Sequence, residues 1–211
     1  MKILVAVPST DYLEAEFVKS LFLLEKVGQT DIKINAGSLV YSSRNNLSDL
    51  AIVHGYDYVL WLDSDMIFPP DTLVRLFHRN VDFVSGVYYL RRAPFTPVLY
   101  ERLRANEDLE SGEIKHEIQM ITGRPTQREL FKIEGCGFGC CLTSVKLLTE
   151  VKSRFPSAPF TPINNLGEDL SFCWKARELG YDLWCDPTLT AGHIARYVID
   201  GITYKKLQET E

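Results

Sequence analysis

The chain has 211 residues, 45% of them hydrophobic, and a formal net charge of −5 at pH 7. This length suits one domain with a sizeable core, and the mild acidic excess excludes a nucleic-acid surface built from basic residues. The first apolar run is too short for a signal peptide, and no later run approaches the about 20 residues of a membrane-spanning helix. We expect a cytoplasmic protein with a small-molecule partner.

The cysteines do not follow a metal-binding pattern. They are Cys136, Cys140, Cys141, Cys173 and Cys185, and none of them forms a C-x-x-C pair of the zinc-ribbon kind. An odd number of thiols without that spacing predicts buried free cysteines rather than a zinc site.

The first part of the chain alternates between strand and helix patterns. A β-branched apolar run over residues 3–7 predicts a buried strand, and residues 13–24 repeat apolar side chains at helical spacing, with Asp11 as the candidate cap. Residues 31–36 are a plausible second strand. Strand, helix and strand at this spacing predict parallel β-α-β units with right-handed crossovers.

A polar stretch leads into the next predicted helix, which ends at Gly55. Ser42 or Ser43 either caps this helix or offers its first N–H groups to an anion, and the sequence leaves both alternatives open. Arg44 could form an ordinary surface ion pair, but its place one element before an acidic strand favours a forked contact to a phosphate.

The acidic strand is the stretch from Tyr58 to Phe68, an apolar run broken by Asp63 and Asp65. A run without a polar face predicts a buried central strand, and its carboxyl end is where an open α/β sheet keeps its ligand. Two neighbouring negative charges are unfavourable unless a cation or an arginine offsets them. Turn formation or capping is the alternative, although Asp71 can cap the following helix unaided. We interpret the acid pair as the floor of an active site.

The middle of the chain is harder to interpret. A helix over about residues 71–79 and a strand over 81–87 precede Tyr88 and Tyr89, which either pack in the core or line a ligand site. The segment from residue 93 to residue 128 has no steady period, so it is either a surface hairpin or a mobile loop.

Three glycines alternate with apolar residues at Gly135, Gly137 and Gly139. Because glycine weakens a strand, this pattern predicts a strand that passes close to a ligand or another backbone. The segment does not open a helix after the first strand, so it is not a dinucleotide-binding fingerprint.

The last part of the chain contains a firm helix pattern after Gly167. Glu168 and Asp169 fall in the first turn of this helix, where the helix dipole alone favours acids. Ser144 is predicted to cap a shorter helix that lies before it in the chain. A short strand follows over residues 182–186. His193 lies beyond it, and a lone histidine is usually a packed or surface residue.

In sequence order these landmarks resemble GT-A-type nucleotide-sugar glycosyltransferases, close to family 2. The segments that carry the resemblance are Pro8-Ser9, Ser43-Arg44-Asn45, Leu62-Asp63-Ser64-Asp65, Gly135 to Gly139, Gly167-Glu168-Asp169 and Gly192-His193. The resemblance implies an α/β, Rossmann-like fold: an open, twisted, mostly parallel sheet flanked by helices, with a small antiparallel edge. It also implies a single domain over residues 1–211, with a nucleotide-binding half over about 1–90, an acceptor and catalytic half over about 91–195, and a tail over 196–211.

The resemblance also assigns roles to the acids and the histidine. Asp65 would ligate Mn²⁺ or Mg²⁺, His193 would be the second protein ligand, and Asp63 would reach the ribose, or the metal through water. The cation would neutralise charge on the departing nucleoside diphosphate. Asp169 would be the general base for an inverting transfer, with Glu168 as the competing candidate.

The donor and the acceptor are placed by the same resemblance. Nucleotide and donor contacts fall on Pro8, Ser9, Arg44, Asp63, Ser64, Asp65 and Gly137. Tyr88 or Tyr89 would pack against a hydroxyl-bearing acceptor. Asn35 and its neighbours stand where the family often carries an aspartate that reads uracil, so a UDP-sugar and a GDP-sugar both remain open.

Two other classes of protein fit parts of the pattern. A haloacid-dehalogenase-type phosphatase also uses an acid pair after a strand, but the expected loop lysine before a further acid pair is absent. A non-catalytic nucleotide- or carbohydrate-binding module could share the fold. Such a module has no reason to keep Asp65, Asp169 and His193 together, so we predict that these three converge on one pocket in an enzyme.

Overall fold

The structure is a computed structural model that describes residues 1–107, 114–163, 165–196, 198 and 200–201. Most of the predicted tail over 196–211 therefore lies outside the described residues. The helices in the described ranges are α1 (Ala15–Leu23), α2 (Val40–Val53), α3 (Thr72–His78), α4 (Val145–Arg154) and α5 (Glu168–Glu178). The strands in the same ranges are β1 (Lys2–Pro8), β2 (Gln29–Asn35), β3 (Tyr58–Leu62), β4 (Met66–Ile67), β5 (Phe83–Val87), β6 (Leu99–Glu107), β7 (Ile114–Met120), β8 (Phe131–Ile133), β9 (Gly135–Cys136), β10 (Cys140–Ser144), β11 (Leu183–Thr190) and β12 (Gly192–His193).

The central sheet of the described chain has the strand order β2-β1-β3-β10-β5-β11-β8. Strand β1 pairs in parallel with β2 and β3, and β11 pairs in parallel with β5, whereas β10 and β8 run antiparallel to their neighbours. The predicted mostly parallel α/β sheet is confirmed. Strand β10 lies between β3 and β5 and runs antiparallel to both, so its first residue is near their carboxyl ends. The glycine-rich residues 135–139, which precede β10, therefore lie at those ends as well.

Both faces of this sheet are covered. Leu4 and Trp61 lie in the apolar cluster on one face, whereas Val5 and Leu62 lie in the cluster on the other. Side chains alternate between the faces of a strand, so a strand covered on both sides needs apolar residues at every position. This explains why β1 and β3 have no polar face.

The predicted strand from Tyr58 to Phe68 is two strands. Strand β3 ends at Leu62, a tight turn follows in which the Met66 N–H donates to the Asp63 carbonyl at 3.1 Å, and β4 begins at Met66. The short β4 pairs antiparallel with β12, so that Met66 lies opposite His193. This pairing joins the acidic turn to the far end of the chain.

Some predicted helix starts are wrong. Helix α1 begins after Glu14 without a side-chain cap, so Asp11 does not cap it. Helix α2 already begins at Val40, which places Ser42 and Ser43 inside its first turns, and the buried Ser43 hydroxyl bonds Ser38 and the Asn35 carbonyl.

Two further caps were proposed from the sequence. Asp71 occupies the cap position of α3 but makes no capping bond through its side chain. The prediction for Ser144 is confirmed, because its Oγ accepts a hydrogen bond from the Leu147 N–H at 3.1 Å.

The weakly patterned segment from residue 93 to residue 128 contains a hairpin in which β6 and β7 are antiparallel. Strand β9 pairs with the other edge of β6. This confirms the hairpin alternative for the described residues. All five cysteines are buried and free, as predicted. Of the described helices, none combines the length and the apolar character that crossing a bilayer requires.

Candidate active site

A cleft of about 420 Å³ opens at the carboxyl ends of β1 and β3, where α5 and β12 meet them. It is lined by Pro8, Ser9, Thr10, Tyr12, Glu14, Val40, Arg44, Asp63, Ser64, Asp65, Arg91, Glu168, Asp169 and His193. A wider and shallower depression of about 550 Å³ lies at the amino ends of β5 and β11, and none of the predicted site residues lines it. Parallel sheets keep their ligands at the carboxyl ends, so the smaller cleft is the candidate site.

One wall of the cleft is the loop that follows β1. The Ser9 N–H donates to the Asn35 carbonyl at 3.0 Å, and its hydroxyl donates to the Tyr12 carbonyl at 3.0 Å. The backbone beyond Pro8 is thereby held against the end of β2. On the opposite side, the carbonyl of Ser64 accepts from the Glu14 N–H at 3.3 Å, which fixes the acidic turn to the start of α1.

The histidine predicted to be a metal ligand faces Asp65. His193 Nε2 lies 3.4 Å from Asp65 Oδ2, and His193 Nδ1 lies 2.8 Å from the carbonyl oxygen of Tyr89. A carbonyl can only accept, so Nδ1 carries the proton and the lone pair of the neutral ring lies on Nε2. Burial alone would lower the pKa of His193, but the Asp65 carboxylate raises it.

Asp65 has a second cationic neighbour. Arg91 Nη1 donates to Asp65 Oδ2 at 2.8 Å, and about half of the Arg91 side chain is exposed. Burial alone would raise the pKa of Asp65, but His193 and Arg91 hold it below its ordinary value. Its charge is therefore balanced by a half-exposed arginine and a histidine.

The donor set suits a cation that takes most of its ligands from a substrate. The described residues contain no group of three or more His, Cys, Asp or Glu side chains able to hold a metal by themselves. The facing Nε2 of His193 and Oδ2 of Asp65 supply one nitrogen and one oxygen, a mixture that Mn²⁺ accepts. Mg²⁺ and Mn²⁺ in nucleotide sites use few protein ligands together with phosphate oxygens and water.

Arg44 occupies the floor of the cleft with only 1% of its side chain exposed. Its Nη2 lies 3.0 Å from Asp63 Oδ1 and 3.4 Å from Asp169 Oδ1, and its Nε lies 3.9 Å from Glu168 Oε1. Burial alone would lower the pKa of Arg44, but these carboxylates raise it. The side chain predicted to bind a phosphate is thus surrounded by protein carboxylates.

The guanidinium of Arg44 also rests on aromatic rings. Its carbon atom lies 5.4 Å from the ring centre of Phe138 and 5.9 Å from that of Phe160, within cation–π range. Phe160 stacks on Phe172 at 4.7 Å and meets Trp61 edge-on at 5.0 Å. The charge is therefore fixed on a rigid apolar base.

Asp169 stands in the first turn of α5, as predicted. Its Oδ2 accepts from the Phe138 N–H at 3.4 Å, while its buried Oδ1 has no hydrogen-bond partner in the described part of the chain. Burial raises the pKa of Asp169 to about 7; Arg44 opposes this rise, and Glu168 and Asp63 add to it. A carboxylate that titrates near neutral pH is suited to act as a general base.

Tyr88 does not line the cleft, and its contact with an acceptor stays a prediction. Its ring is 5% exposed and meets the His193 ring edge-on at 5.4 Å. A Cβ atom at Gly137 would lie 1.9 Å from the Tyr88 hydroxyl, and one at Gly139 would lie 3.0 Å from Tyr88 Cζ. The glycines therefore admit the Tyr88 ring, where the sequence predicted a ligand or another backbone.

A second cavity of about 260 Å³ lies on the other side of α5's first turn. Its lining residues are Val98, Tyr100, Cys136, Gly137, Gly167, Glu168, Asp169 and Leu170. Gly137 therefore faces this cavity and not the cleft. Neither Tyr88 nor Tyr89 is among the described residues that line either space, whereas Tyr100, which the sequence did not single out, lines this one.

Sequence reasoning also missed Lys175, which is fully buried in α5. Its Nζ donates to the carbonyls of Ala158, Pro159 and Thr161 at 2.9, 3.2 and 3.1 Å, and burial lowers its pKa to about 8. These bonds hold the loop before α5 and so help to place Asp169. A lysine within a helical pattern is normally solvated, so no sequence signal could have found it.

The comparisons with known proteins support the architecture. No protein-family model and no curated protein matches the chain. Among solved structures, the crystal structure of A197 from STIV aligns with 18% identity and a TM-score of 0.60, over 93% of this chain and 87% of A197. A crystal structure of GalNAc-T7 with UDP, GalNAc and Mn²⁺ aligns with 13% identity and a TM-score of 0.52.

That second alignment covers 90% of this chain and 37% of GalNAc-T7, so the chain spans little more than a third of that protein. Both neighbours have the GT-A fold, and the mixed sheet with its flanking helices is the same architecture. At these identities the likeness shows the fold alone. The chain thus has the GT-A fold that the sequence landmarks predicted.

Proposed function

We propose that the chain is a metal-dependent glycosyltransferase that moves a sugar from a nucleoside-diphosphate sugar to an acceptor hydroxyl with inversion. The observation that carries this proposal is the convergence of Asp65, His193 and Asp169 on one cleft at the carboxyl end of the sheet. A non-catalytic module would have no need to keep these three together. The crystal structure of GalNAc-T7, a protein of the same fold, contains UDP and Mn²⁺, which supports a nucleotide and a divalent cation here.

Asp65 and His193 are the residues that would hold Mn²⁺ or Mg²⁺, through the facing Oδ2 and Nε2 atoms. When bound, the cation would offset the negative charge that builds on the departing diphosphate. The Tyr89 carbonyl orients the imidazole, which keeps Nε2 available. Arg91, which contacts Asp65, lines the same part of the cleft and can turn to a phosphate oxygen.

Asp169 is the proposed general base. It takes the proton of the acceptor hydroxyl as the acceptor oxygen forms its bond to the anomeric carbon. On the opposite side of that carbon the bond to the diphosphate oxygen breaks, and the electron pair leaves with the nucleoside diphosphate. Arg44 limits the rise in the Asp169 pKa, so that the carboxylate is available near neutral pH. Glu168 is the alternative base.

The nucleotide would lie along the wall formed by Pro8, Ser9 and Thr10, with Val40 on the facing side. Ser64 and Asp63 close the floor between this wall and the metal ligands. Asp63 binds Arg44 through Oδ1, which leaves its other oxygen for a ribose hydroxyl. The base, uracil or guanine, would be read by the loop after β2.

The phosphatase alternative is weaker. It requires Asp63 to be a free nucleophile, whereas its Oδ1 is bound by Arg44 at 3.0 Å. The GT-A fold of the chain does not belong to that class either. A measurement of turnover distinguishes the transferase from a binding module without catalysis.

Two measurements test the proposal. Calorimetry with UDP and GDP, each with and without Mn²⁺, should show metal-dependent binding that Asp65→Asn weakens and Asp169→Asn preserves. Hydrolysis or transfer from a panel of UDP- and GDP-sugars should then be lost in Asp169→Asn. Nucleotide binding that does not depend on the metal would refute the proposed metal site. Full turnover by Asp169→Asn would refute the assignment of Asp169 as the general base.

A further inference from the structure

The two cavities of the site meet at Asp169. The cleft of about 420 Å³ and the cavity of about 260 Å³ share only Glu168 and Asp169 among the described residues that line them. A base for glycosyl transfer has to face the acceptor hydroxyl while the donor lies within reach beyond it. If the cleft takes the donor, the smaller cavity is the space from which an acceptor can reach the same carboxylate.

The two spaces differ in charge. Arg44 and Arg91 contribute cations to the cleft. In the smaller cavity, the described lining residues apart from Glu168 and Asp169 are apolar, aromatic, glycine or a buried cysteine. Burial raises the pKa of the Cys136 thiol, so that group is neutral as well. An anionic ligand would lie beside two carboxylates, and none of the described lining residues is cationic. Binding of an anion in this cavity is therefore strongly unfavourable.

The size and the lining of this cavity suit one sugar ring. At about 260 Å³ it is smaller than the about 300–1,000 Å³ of pockets for drug-sized ligands. Tyr100, which is partly exposed, and Leu170 offer it apolar surface, and the carboxylates offer hydrogen-bond acceptors at one end. An amphipathic ring, with C–H groups on its faces and hydroxyls on its edge, matches that arrangement.

We propose that this cavity binds the acceptor, that the acceptor presents an uncharged pyranose ring, and that Tyr100 is a specificity-determining residue that packs against the ring. The inference rests on the glycosyltransferase function proposed above. One hydroxyl of the ring points to Asp169 at the boundary between the spaces. Carboxylated and phosphorylated sugars are excluded by the two acids.

Gly167 provides a clean way to fill the cavity. It lines the cavity, its φ of −61° is ordinary for any residue, and a Cβ atom placed on it meets nothing within 4 Å. The Cβ atom of a leucine therefore fits at this position without a clash. Gly137 would be a poor choice, because an added Cβ lies 1.9 Å from the Tyr88 hydroxyl.

The experiment measures binding of methyl glucoside, methyl galactoside and methyl N-acetylglucosaminide by saturation-transfer NMR, with UDP and Mn²⁺ present. Gly167→Leu should weaken the bound glycoside about tenfold or more and leave UDP affinity, measured by calorimetry, unchanged. The matched variant Val40→Asp, which places a charge opposite the nucleotide wall, should weaken UDP binding and leave glycoside affinity unchanged. A charged partner of the panel, methyl glucuronide, should not bind.

Two variants of Tyr100 distinguish packing of its ring from hydrogen bonding by its hydroxyl. Tyr100→Phe keeps the ring and should keep glycoside binding, whereas Tyr100→Ala should weaken it about threefold to tenfold. Equal effects of both variants would assign the role to the hydroxyl and overturn the packing proposal.

The remaining outcomes are equally decisive. The inference would be overturned if Gly167→Leu left glycoside binding unchanged. It would also be overturned if the glucuronide bound as tightly as the glucoside, or if no neutral glycoside bound. Metal-dependent binding of UDP and of GDP is measured on the same protein. If either nucleotide binds with the metal, the cavity assignment failed alone; if neither binds, the proposed function failed.

Discussion

The cleft contains two charged groups that differ in how firmly they are held. The group around Arg44 is buried on aromatic rings, and its carboxylates are fixed by contacts of 3.0 to 3.9 Å. The group around Asp65 consists of His193 and the half-exposed Arg91. The two aspartates of one short motif thus have opposite surroundings: Asp63 joins the fixed group and Asp65 the exchangeable one.

This difference implies that the group around Arg44 stabilises the structure, whereas the group around Asp65 exchanges ligands. A buried cation that balances several carboxylates fixes their positions, and removing it leaves uncompensated charges. A partly exposed acid such as Asp65 can exchange its contact with a half-exposed arginine for a contact with a cation, and the arginine can then bind a phosphate. We therefore expect changes in the first group to affect the fold and the base, and changes in the second to affect ligand affinity.

The largest effect is expected from Asp169→Asn. Loss of a general base lowers turnover by about 100-fold to 10,000-fold. In the wild type the base must be deprotonated, so kcat/KM should rise with pH and level off above about 7, the value to which burial raises the pKa of Asp169. Initial rates over a pH series check both points. A flat profile together with an active Asn variant would transfer the role to Glu168.

Arg44→Met tests the fixed group. The substitution keeps much of the side-chain volume but leaves Asp63, Asp169 and Glu168 without their shared cation, and we expect a loss of about 3 kcal/mol in the free energy of unfolding. Chemical denaturation measures it. Arg75→Met is the control, because Arg75 is a more exposed arginine whose Asp71 contact is at 3.9 Å, and its loss should be within about 0.5 kcal/mol. Equal losses would contradict the distinction between the two groups.

Asp65→Asn tests the exchangeable group. Removing a metal ligand should weaken Mn²⁺-dependent nucleotide binding by about 100-fold, because even outer partners of metal ligands are worth 10-fold to 100-fold. The free energy of unfolding should hardly change. Glu14→Gln is the matched control, since Glu14 also lines the cleft but forms its ion pair with Arg196 at 2.8 Å. Calorimetry would refute the assignment if both variants lost the same affinity.

A further effect is expected on stability as a function of pH. The folded chain holds the Asp169 proton more tightly than an unfolded chain does, because burial raises its pKa from about 4 to about 7. Stability that is present below the ordinary pKa is therefore lost as pH rises toward 7. Asp169→Asn removes this loss, so its Tm should gain on the wild type as the pH rises from about 4 to about 7. A constant difference in Tm would argue against a raised pKa.

Local sequence patterns determined much of the fold. The apolar runs of β1 and β3 and the helical spacing of α1 and α5 are properties of neighbouring residues, so the alternating α/β order was predictable. The position of the acids at the end of a buried strand and at the start of a helix followed from the same patterns. The landmarks in their order then pointed to the GT-A fold.

The tertiary structure decided how these residues are combined. The pairing of β4 with β12 brings His193 to Asp65, Arg44 is buried among carboxylates from two segments, and the ring of Tyr88 fills the space above Gly137. The cavity beside Tyr100 exists because the β6–β7 hairpin returns to β9. Each of these contacts joins residues far apart in the chain, and their energies depend on burial and distance, which local periodicity does not record.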